Sequence, residues 1–434
     1  MPDGQHDKPK REPAATVARG LVRRRTLLAA AGATAALTAL PAAALAAPLR
    51  TAKPADATTP TAPPTDVLPF RGAHQTGIAL PRQSDTVLAA FDLTTTSKAA
   101  LRGLLTRWTV VAEALTQGND VPDLPIFGNS PADPGEALGL TPHNLTITLG
   151  IGARPFTGKL GTAFGLAHKK PTELSPLPAF QGDQLRPAIS QGDFIIQACA
   201  DNSVVAAHAI RQLARVAQGA AKLRWLQSGS APASPDGSTG RNLFGFKDGT
   251  ATIKPDEVAD QNKFVWVQPG DGPSWHTGGS FLCLRRIHME LQAWDAALID
   301  IQEAAIGRDK QFGAPLSGGT EFTPVDLHKT SASGHLLVPF NSHVAQAHPS
   351  MNKGVRMLRR GYGYTNGVDS KGRYDAGLLF MAFVRSPAKH FIPMQRQLAA
   401  SDNITRWSTP IASGVYAILP GLQPGQTWAT QLLG

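Results

Sequence analysis

The stretch TVLAAFDLTTTSKAALRGLLTRWTVVAEAL, residues 86–115, decides the fold class, because its pattern of apolar residues changes part-way along. Residues 86–93 form a short apolar run of the kind found in buried strands. From residue 97 the apolar residues recur at steps of three and four, which is typical of a helix with one buried face. The stretch therefore predicts a strand that is followed directly by a helix.

The same order of elements occurs twice along the chain. The first half continues with two short strands and a helix, predicted at 145–152, 193–202 and 203–218. The second half has a strand, a helix, a strand and a helix, predicted at 278–289, 291–307, 377–385 and 389–399. We therefore expect an α+β fold of two related halves, each an antiparallel sheet packed with helices in the ferredoxin-like manner. Periodicity leaves the order of the strands open.

Residues 1–46 have the pattern of an export signal. Arg24 and Arg25 precede an alanine-rich apolar run, and residues 44–46 read Ala-Leu-Ala, which is an A-x-A cleavage pattern. We interpret the segment as a twin-arginine signal peptide. The alternative is a membrane anchor, but the run contains Gly and Pro and few large apolar residues.

The rest of the chain divides into a spacer and a folded body. Residues 47–67 are rich in Pro, Ala and Thr, which indicates a linker. We assign 68–260 to an N-terminal and 261–434 to a C-terminal ferredoxin-like domain. The signal predicts export through the twin-arginine translocase to a periplasmic, extracellular or cell-envelope location, without stable membrane insertion after cleavage. Because that pathway carries folded proteins, it also favours an enzyme that receives its cofactor before export.

Charge and cysteine content exclude other classes of protein. The first 46 residues hold seven Lys or Arg and three Asp or Glu, so about +6 of the net +10 remains for the body, which has no basic run interleaved with aromatic residues. We therefore expect no nucleic-acid partner. Cys199 and Cys283, the two cysteines of the chain, each lie in an apolar stretch, which is typical of buried free thiols.

Two segments carry candidate catalytic residues. The first is RNLFGFKDGTATI, residues 241–253, which places Asp248 in a Gly-x-x-Asp-Gly pattern. The second, residues 340–364, contains His343 and, sixteen residues later, Arg359. Taken alone, each is ambiguous, since Asp-Gly marks many turns and single His and Arg residues are common on surfaces.

Taken together, the segments resemble one family. FGFKDGT resembles the Gly-x-x-Asp-Gly signature of the dye-decolourising peroxidases, and NSHV followed by MLRRG resembles that family's proximal-histidine and distal-arginine segment. Other similar pieces follow in the family's order, namely GAHQTGI, LTITLGIG, GDGPSWHTGGSFLCLRRI, IGRDKQFGAPL and GLLFMAFVRSP. The resemblance implies one b-type haem per chain, two domains of the dimeric α+β barrel superfamily, and the exported, iron-related (deferrochelatase-like) branch.

The resemblance also implies roles for individual residues. His343 would be the proximal ligand of the haem iron, with Asp248 and Arg359 on the opposite face. Asp248 would accept and return a proton of hydrogen peroxide, and Arg359 would supply a fixed positive charge. An aspartate base has an ordinary pKa of about 3.9, so we expect the activity to be greatest at acidic pH.

Three further residues would contact the porphyrin. Arg308 would pair with a haem propionate, while Gly249 and Thr250 would run close to the porphyrin edge. One departure concerns Ser386, where the family often has Asp, and it leaves the residue that hydrogen-bonds His343 unidentified.

The implied function is a haem-dependent peroxidase that reduces hydrogen peroxide and oxidises dyes or phenolics by one-electron steps. One alternative is a haem-handling or iron-recovery protein with incidental peroxidase activity. A chlorite-dismutase-like enzyme would share the fold plan but lack the acid of FGFKDGT, and an exported protein without haem is the last alternative. The natural electron donor and homo-oligomerisation stay open.

Overall fold

The computed structural model describes residues 66–231, 234 and 238–434. The predicted signal peptide at 1–46 and residues 47–65 of the predicted linker lie outside the described residues. Within the described ranges, no helix combines the length and the apolar character that crossing a bilayer would require.

Eight strands and the helices between them form the body. The strands are β1 (Asp85–Leu93), β2 (Thr146–Ile151), β3 (Phe194–Ala200), β4 (Ala221–Ser230), β5 (Ser280–Met289), β6 (Leu358–Val368), β7 (Tyr374–Val384) and β8 (Ser408–Ile418). The α-helices are α1 (Lys98–Thr116), α2 (Gly158–Phe164), α3 (Ser203–Val216), α4 (Val258–Phe264), α5 (Leu291–Asp295), α6 (Ile299–Ile306), α7 (His343–Ala347), α8 (Ile392–Ser401) and α9 (Trp428–Leu433).

The strands close into one antiparallel barrel in the order β1-β3-β2-β8-β5-β7-β6-β4. Within each half the order is the same, since β4-β1-β3-β2 and β8-β5-β7-β6 both place the fourth strand beside the first and the third beside the second. This is the split β-α-β arrangement of ferredoxin-like units. The α+β prediction with two related halves is confirmed, while the boundary between 260 and 261 stays a prediction.

The core has three parts. One fills the barrel and includes Leu88, Leu379 and Tyr416. A second lies outside the barrel, where α1 and α3 cover the first half around Trp108. In the third, Phe244 of the Gly-x-x-Asp-Gly segment packs against buried residues of α5 and α6, and this packing holds the segment in place. Burial of apolar surface in these clusters is the main favourable term in folding.

The segment predicted as one helix at 291–307 is two short helices, and the single-helix prediction is wrong. Trp294 is fully buried in α5, and its indole N–H donates to the carbonyl of Phe244 at 3.0 Å. Leu298 then takes an extended conformation, and it and Ile299 are exposed. The apolar residues here do not form one buried face, so their spacing gave a misleading helix signal.

Three strands, β4, β6 and β8, were not predicted. In β6 the run Arg359-Arg360-Gly361 hides the strand pattern, because charged residues and glycines are rare in buried strands. The structure explains the buried charge. Arg360 is 3% exposed inside the fold, where its guanidinium donates to the carbonyl of Leu80 at 2.7 Å and to Gln83 Oε1 at 2.6 Å.

Candidate active site

The Gly-x-x-Asp-Gly segment folds into a tight loop that presents Asp248. A bridge between Arg241 and Lys247 closes the loop, and Gly245 turns it with a φ of +83°. The amide of Asp248 donates to the carbonyl of Gly240 at 2.9 Å. The loop thus holds the backbone of Asp248 in a fixed position.

Gly249, the residue after the acid, has a φ of +127°, a conformation that residues with a side chain rarely adopt. The sequence analysis placed Gly249 close to the porphyrin edge, where a side chain would obstruct the ring. The backbone supplies a separate reason for glycine, since the chain must turn directly after Asp248.

Thr252 fastens this loop to β6. Its hydroxyl accepts from the amide of Arg359 at 2.8 Å, and the amide of Ile253 donates to the carbonyl of Met357 at 3.3 Å. This pairing brings Arg359 Nη1 to 3.2 Å from Asp248 Oδ1. The two residues are 111 positions apart in sequence, and the loop-to-strand contact makes them an ion pair.

Side chains of β6 alternate between the two faces of the strand, and this alternation decides which way Arg359 points. Leu358, Arg360 and Tyr362 face the buried side of the strand, whereas Arg359 and Gly361 face the partly open side. A Cβ on Gly361 would lie 3.9 Å from Asp248 Oδ2, so the glycine leaves room beside the carboxylate.

His343 begins α7, directly after the N-cap residue Ser342. Its Nδ1 lies 2.6 Å from Oδ2 of Asp402, which is only 2% exposed. The other oxygen of Asp402 accepts from the amide of Ile404 at 3.0 Å. The carboxylate therefore accepts a hydrogen bond from Nδ1–H, which leaves Nε2 of the neutral His343 ring as the nitrogen with a free lone pair.

Asp402 is the partner of His343 that the sequence did not identify. Ser386, the position where the family often has Asp, instead donates its hydroxyl to the carboxylate of Glu173 at 2.7 and 2.8 Å. The only local signal at Asp402 is that of a helix-capping residue in the Ser-Asp-Asn run. That signal does not point to a histidine 59 positions away.

Charges around Asp248 hold it ionised. Burial acts to raise the pKa of this carboxyl, but the charges of Arg359 and Arg82, the charge of His343 while its imidazole is protonated, and a 3.4 Å hydrogen bond from Asn242 Nδ2 outweigh burial. The pKa of Asp248 is therefore lowered from its ordinary value. A carboxylate in this state accepts a proton at neutral and mildly acidic pH.

At His343, burial acts to lower the pKa, and the neighbouring carboxylate of Asp402 more than offsets this. The result is a raised pKa and hence a more basic imidazole.

Arg82 is a charged residue that the sequence analysis missed. It precedes β1, and its Nη1 donates to the carbonyl of Gly361 on β6. Gly361 thus lies between Arg82 and Asp248. The sequence around it, LPRQS, carries no motif, so no local signal marks Arg82 as part of the site.

Arg308 and Thr250 belong to a neighbouring network around Glu321. Arg308 Nη1 donates to the carbonyls of Gly313 and Glu321 at 2.6 and 2.8 Å, and Thr250 Oγ1 donates to Glu321 Oε1 at 3.3 Å. In the part of the chain that the structure describes, no residue accepts from Nε or Nη2 of Arg308, so these atoms can still bind an anion. Neither side chain hydrogen-bonds Asp248, Arg359 or His343.

Asp248, Arg359 and His343 lie close together in space, and each is partly accessible. Their side chains are 19%, 24% and 35% exposed. Each of the two charges on Asp248 and Arg359 acts on the imidazole of His343. The site thus combines a potential metal ligand with an acid–cation pair near it.

Comparison with known proteins agrees with this arrangement. Residues 75–230 match the family described as Dyp-type peroxidase, N-terminal, and residues 239–423 match Dyp-type peroxidase, C-terminal. Deferrochelatase of Escherichia coli (strain K12) is 35% identical over 365 residues, which cover 82% of this chain and 84% of that protein. Deferrochelatase of Shigella flexneri is 34% identical over 375 residues, covering 84% and 87%.

Solved structures of DyP-type peroxidases have the same fold as this chain. A DyP-type peroxidase from Cellulomonas bogoriensis superposes with a TM-score of 0.77 at 38% identity, covering 85% of this chain and 98% of that one. Ferric DtpA from Streptomyces lividans superposes with a TM-score of 0.78 at 37% identity, covering 86% and 100%. Because both halves match in sequence and structure, the chain belongs to the Dyp-type peroxidase family, enzymes that use haem to oxidise organic donors with hydrogen peroxide.

Proposed function

We propose that this peroxidase binds one haem b through His343 and uses Asp248 and Arg359 as its acid–base and charge-stabilising residues. One observation carries the proposal. The Asp248–Arg359 ion pair lies close enough to a carboxylate-backed histidine for both charges to act on its imidazole.

The residues present fit a haem. An imidazole whose Nδ1 proton is held by a carboxylate is the usual form of a histidine metal ligand, and Nε2 of His343 is free to bind iron. The guanidinium atoms of Arg308 that remain unpaired within the described residues suit a propionate. Gly361 leaves room beside Asp248, and Leu378 on the adjacent strand adds an apolar side chain there, which suits the edge of a flat apolar ring.

Haem, when bound, supplies the iron that binds peroxide and the electrons that cleave its O–O bond. The chain supplies the proton movement. Asp248 accepts the proton from the inner oxygen of peroxide and delivers it to the outer oxygen, which then leaves as water. Arg359, fixed 3.2 Å from that carboxylate, stabilises the negative charge that develops during transfer.

Asp402 and His343 would form the ligand part of the site. The carboxylate fixes the orientation and tautomer of the imidazole, and it increases the basicity of Nε2. With haem bound, a more basic His343 would donate more electron density to the iron.

The alternative is a haem-handling protein, which the name deferrochelatase of the E. coli relative brings into consideration. The Asp248–Arg359 pair favours peroxidase chemistry, because a carrier of haem needs a ligand but no proton acceptor opposite it. Asp248→Ala and Arg359→Ala should each retain the Soret band of bound haem and lose peroxide-dependent dye oxidation. A protein that binds haem and shows negligible peroxide turnover before mutation would favour the alternative.

We also propose export through the twin-arginine pathway, supported by Arg24, Arg25 and the A-x-A pattern at residues 44–46. Replacement of both arginines by lysine should leave folded, haem-loaded protein in the cytoplasm. Cell fractionation and haem absorbance measure this outcome. Unchanged export of the double variant would contradict the proposal.

A further inference from the structure

Glu321 is a buried acid beside the loop that carries Asp248, and the function proposed above gives it no role. Its side chain is only 8% exposed. A carboxylate removed from water in this way needs compensating hydrogen bonds or charges. The partners of Glu321 therefore show which part of the molecule it holds.

Three residues that donate to the carboxylate of Glu321 belong to the segment 239–250. Lys247 Nζ donates to Oε2 at 2.6 Å. The amide of Thr239 and the hydroxyl of Thr250 each donate to Oε1 at 3.3 Å. Lys247 directly precedes Asp248 and Thr250 comes shortly after it, so Glu321 holds the loop on both sides of the acid.

The contact between Glu321 and Lys247 is shielded from water. The side chain of Lys247 is only 9% exposed. Burial acts to raise the pKa of Glu321, but hydrogen bonds from Lys247 and Thr239 and the charge of Lys247 outweigh burial and lower this pKa. Glu321 is therefore ionised, and separation of the pair would leave two buried charges without a partner.

The backbone of Glu321 connects the same loop to Arg308. Arg308 Nη1 donates to the carbonyl of Glu321 at 2.8 Å and to the carbonyl of Gly313 at 2.6 Å. A Cβ on Gly313 would lie 2.7 Å from Cδ of Lys247, so the stem of the lysine passes close to this glycine. Arg308 and the loop that carries Asp248 thus share one buried support.

We propose that Glu321 is a positioning residue for the reaction with peroxide, because it holds the loop in the place where Asp248 meets Arg359. The inference rests on the function proposed above, since Glu321 would act only through Asp248. Among the described residues, Glu321 hydrogen-bonds neither Asp248 nor Arg359, so it has no direct part in proton transfer. The distance of 3.2 Å between Asp248 and Arg359 depends on the loop staying in place.

Glu321→Gln, studied in haem-loaded protein, tests this role. The amide keeps the size of the side chain but removes the charge that holds Lys247. The rate of reaction with peroxide, followed by stopped-flow absorbance, should fall by about 10- to 100-fold, because small displacements of a catalytic group are costly. Haem content should stay parental, as should the rate of dye oxidation when dye is added after the peroxide reaction is complete.

Hydrogen–deuterium exchange supplies a readout that does not depend on activity. Backbone amides in 239–250 should exchange faster in Glu321→Gln than in the parent. Asp183→Asn is the matched control, because it breaks another buried ion pair, with Arg285, whose side chains are 7% and 1% exposed. The control should keep the parental peroxide rate and the parental exchange in 239–250. A parental rate or unchanged exchange in Glu321→Gln would overturn the proposal.

A double variant tests whether Glu321 acts through Asp248. Asp248→Asn/Glu321→Gln should react with peroxide no more slowly than Asp248→Asn, whereas independent roles would give additive losses and overturn the proposal. A parental rate in Asp248→Asn would contradict the proposed function and this role together. A slow Asp248→Asn beside a parental Glu321→Gln would contradict the role of Glu321 alone.

Lys247→Met/Glu321→Gln covers the case in which Glu321→Gln does not fold. Both charges of the buried pair are absent, so no charge is left without a partner and the protein should fold and bind haem. The contact between the two side chains is still lost, so the reaction with peroxide should again be slow. A parental rate in this folded variant would overturn the proposal.

Discussion

His343 Nδ1 and Asp402 Oδ2 lie 2.6 Å apart, which makes the carboxylate the hydrogen-bond acceptor of the imidazole. Asp402 also begins the short 3-10 helix Asn403–Arg406, where its Oδ1 accepts from the amide of Ile404. One residue therefore fixes both the local backbone and the histidine.

Asp402→Asn separates these two roles. Asparagine keeps the Oδ1 acceptor for Ile404, so the fold should survive. It removes the negative charge beside His343, so the imidazole becomes a weaker base and haem affinity or activity should fall by about 10- to 100-fold. Resonance Raman spectroscopy of the ferrous protein should show a lower iron–histidine stretching frequency, and an unchanged frequency would contradict the assigned role.

Asp248→Asn tests the proton acceptor. The amide keeps the size of the side chain but cannot accept the peroxide proton, so the rate of reaction with peroxide should fall by about 10²- to 10⁴-fold. Stopped-flow absorbance of the haem band measures this rate directly. Haem content serves as the control and should be unchanged, and a variant with the parental rate would exclude Asp248 as the base.

The lowered pKa of Asp248 predicts the acid side of the pH profile. Asp248 works when ionised, and its pKa lies below its ordinary value, so activity should persist to below about pH 4 while the fold survives. Any stability that its ionised form contributes is present above about pH 4 and is lost as the pH falls through the lowered pKa. An activity profile that rises steadily above pH 7 would contradict this assignment.

Arg82→Gln should shift the acid side of the pH–activity profile to higher pH. Arg82 is one of the positive charges that lower the pKa of Asp248, so its loss should raise this pKa and shift the acid limb to higher pH. The measurement is the pH dependence of kcat/KM for peroxide in the parent and the variant. If the acid limb stays in place, Arg82 has no electrostatic role at the site.

Gly249→Ala should destabilise the loop that carries Asp248. With φ at +127°, an alanine there costs about 1–3 kcal/mol and displaces the carboxylate. Gly272→Ala is the matched control, because an added Cβ there meets no atom within 4 Å and the φ is ordinary. The thermal unfolding temperature and the rate of peroxide turnover should fall for Gly249→Ala and stay at the parental values for Gly272→Ala. Equal effects of the two substitutions would contradict a role for the backbone conformation of Gly249.

Local sequence patterns predicted regular elements in which the apolar residues form a continuous run or lie on one face. The strand and helix predicted at 86–93 and 97–115 correspond to β1 and α1, and 203–218 corresponds to α3. Strands β4, β6 and β8 were missed because their burial depends on barrel closure. Arg360, for example, is buried where residues 78–83, distant in sequence, supply hydrogen-bond acceptors for its guanidinium.

The sequence by itself determined the α+β class and the twofold plan, and its motifs indicated Asp248, Arg359 and His343, for which we propose roles in the reaction with peroxide. Only the tertiary structure revealed that Asp402 contacts His343, from which it is 59 positions away in sequence. It likewise revealed that Arg82 contacts Gly361, from which it is 279 positions away. Periodicity and motifs report on neighbours along the chain, whereas electrostatic interactions depend on distance in space. The groups that tune the site therefore became visible only when the barrel brought them together.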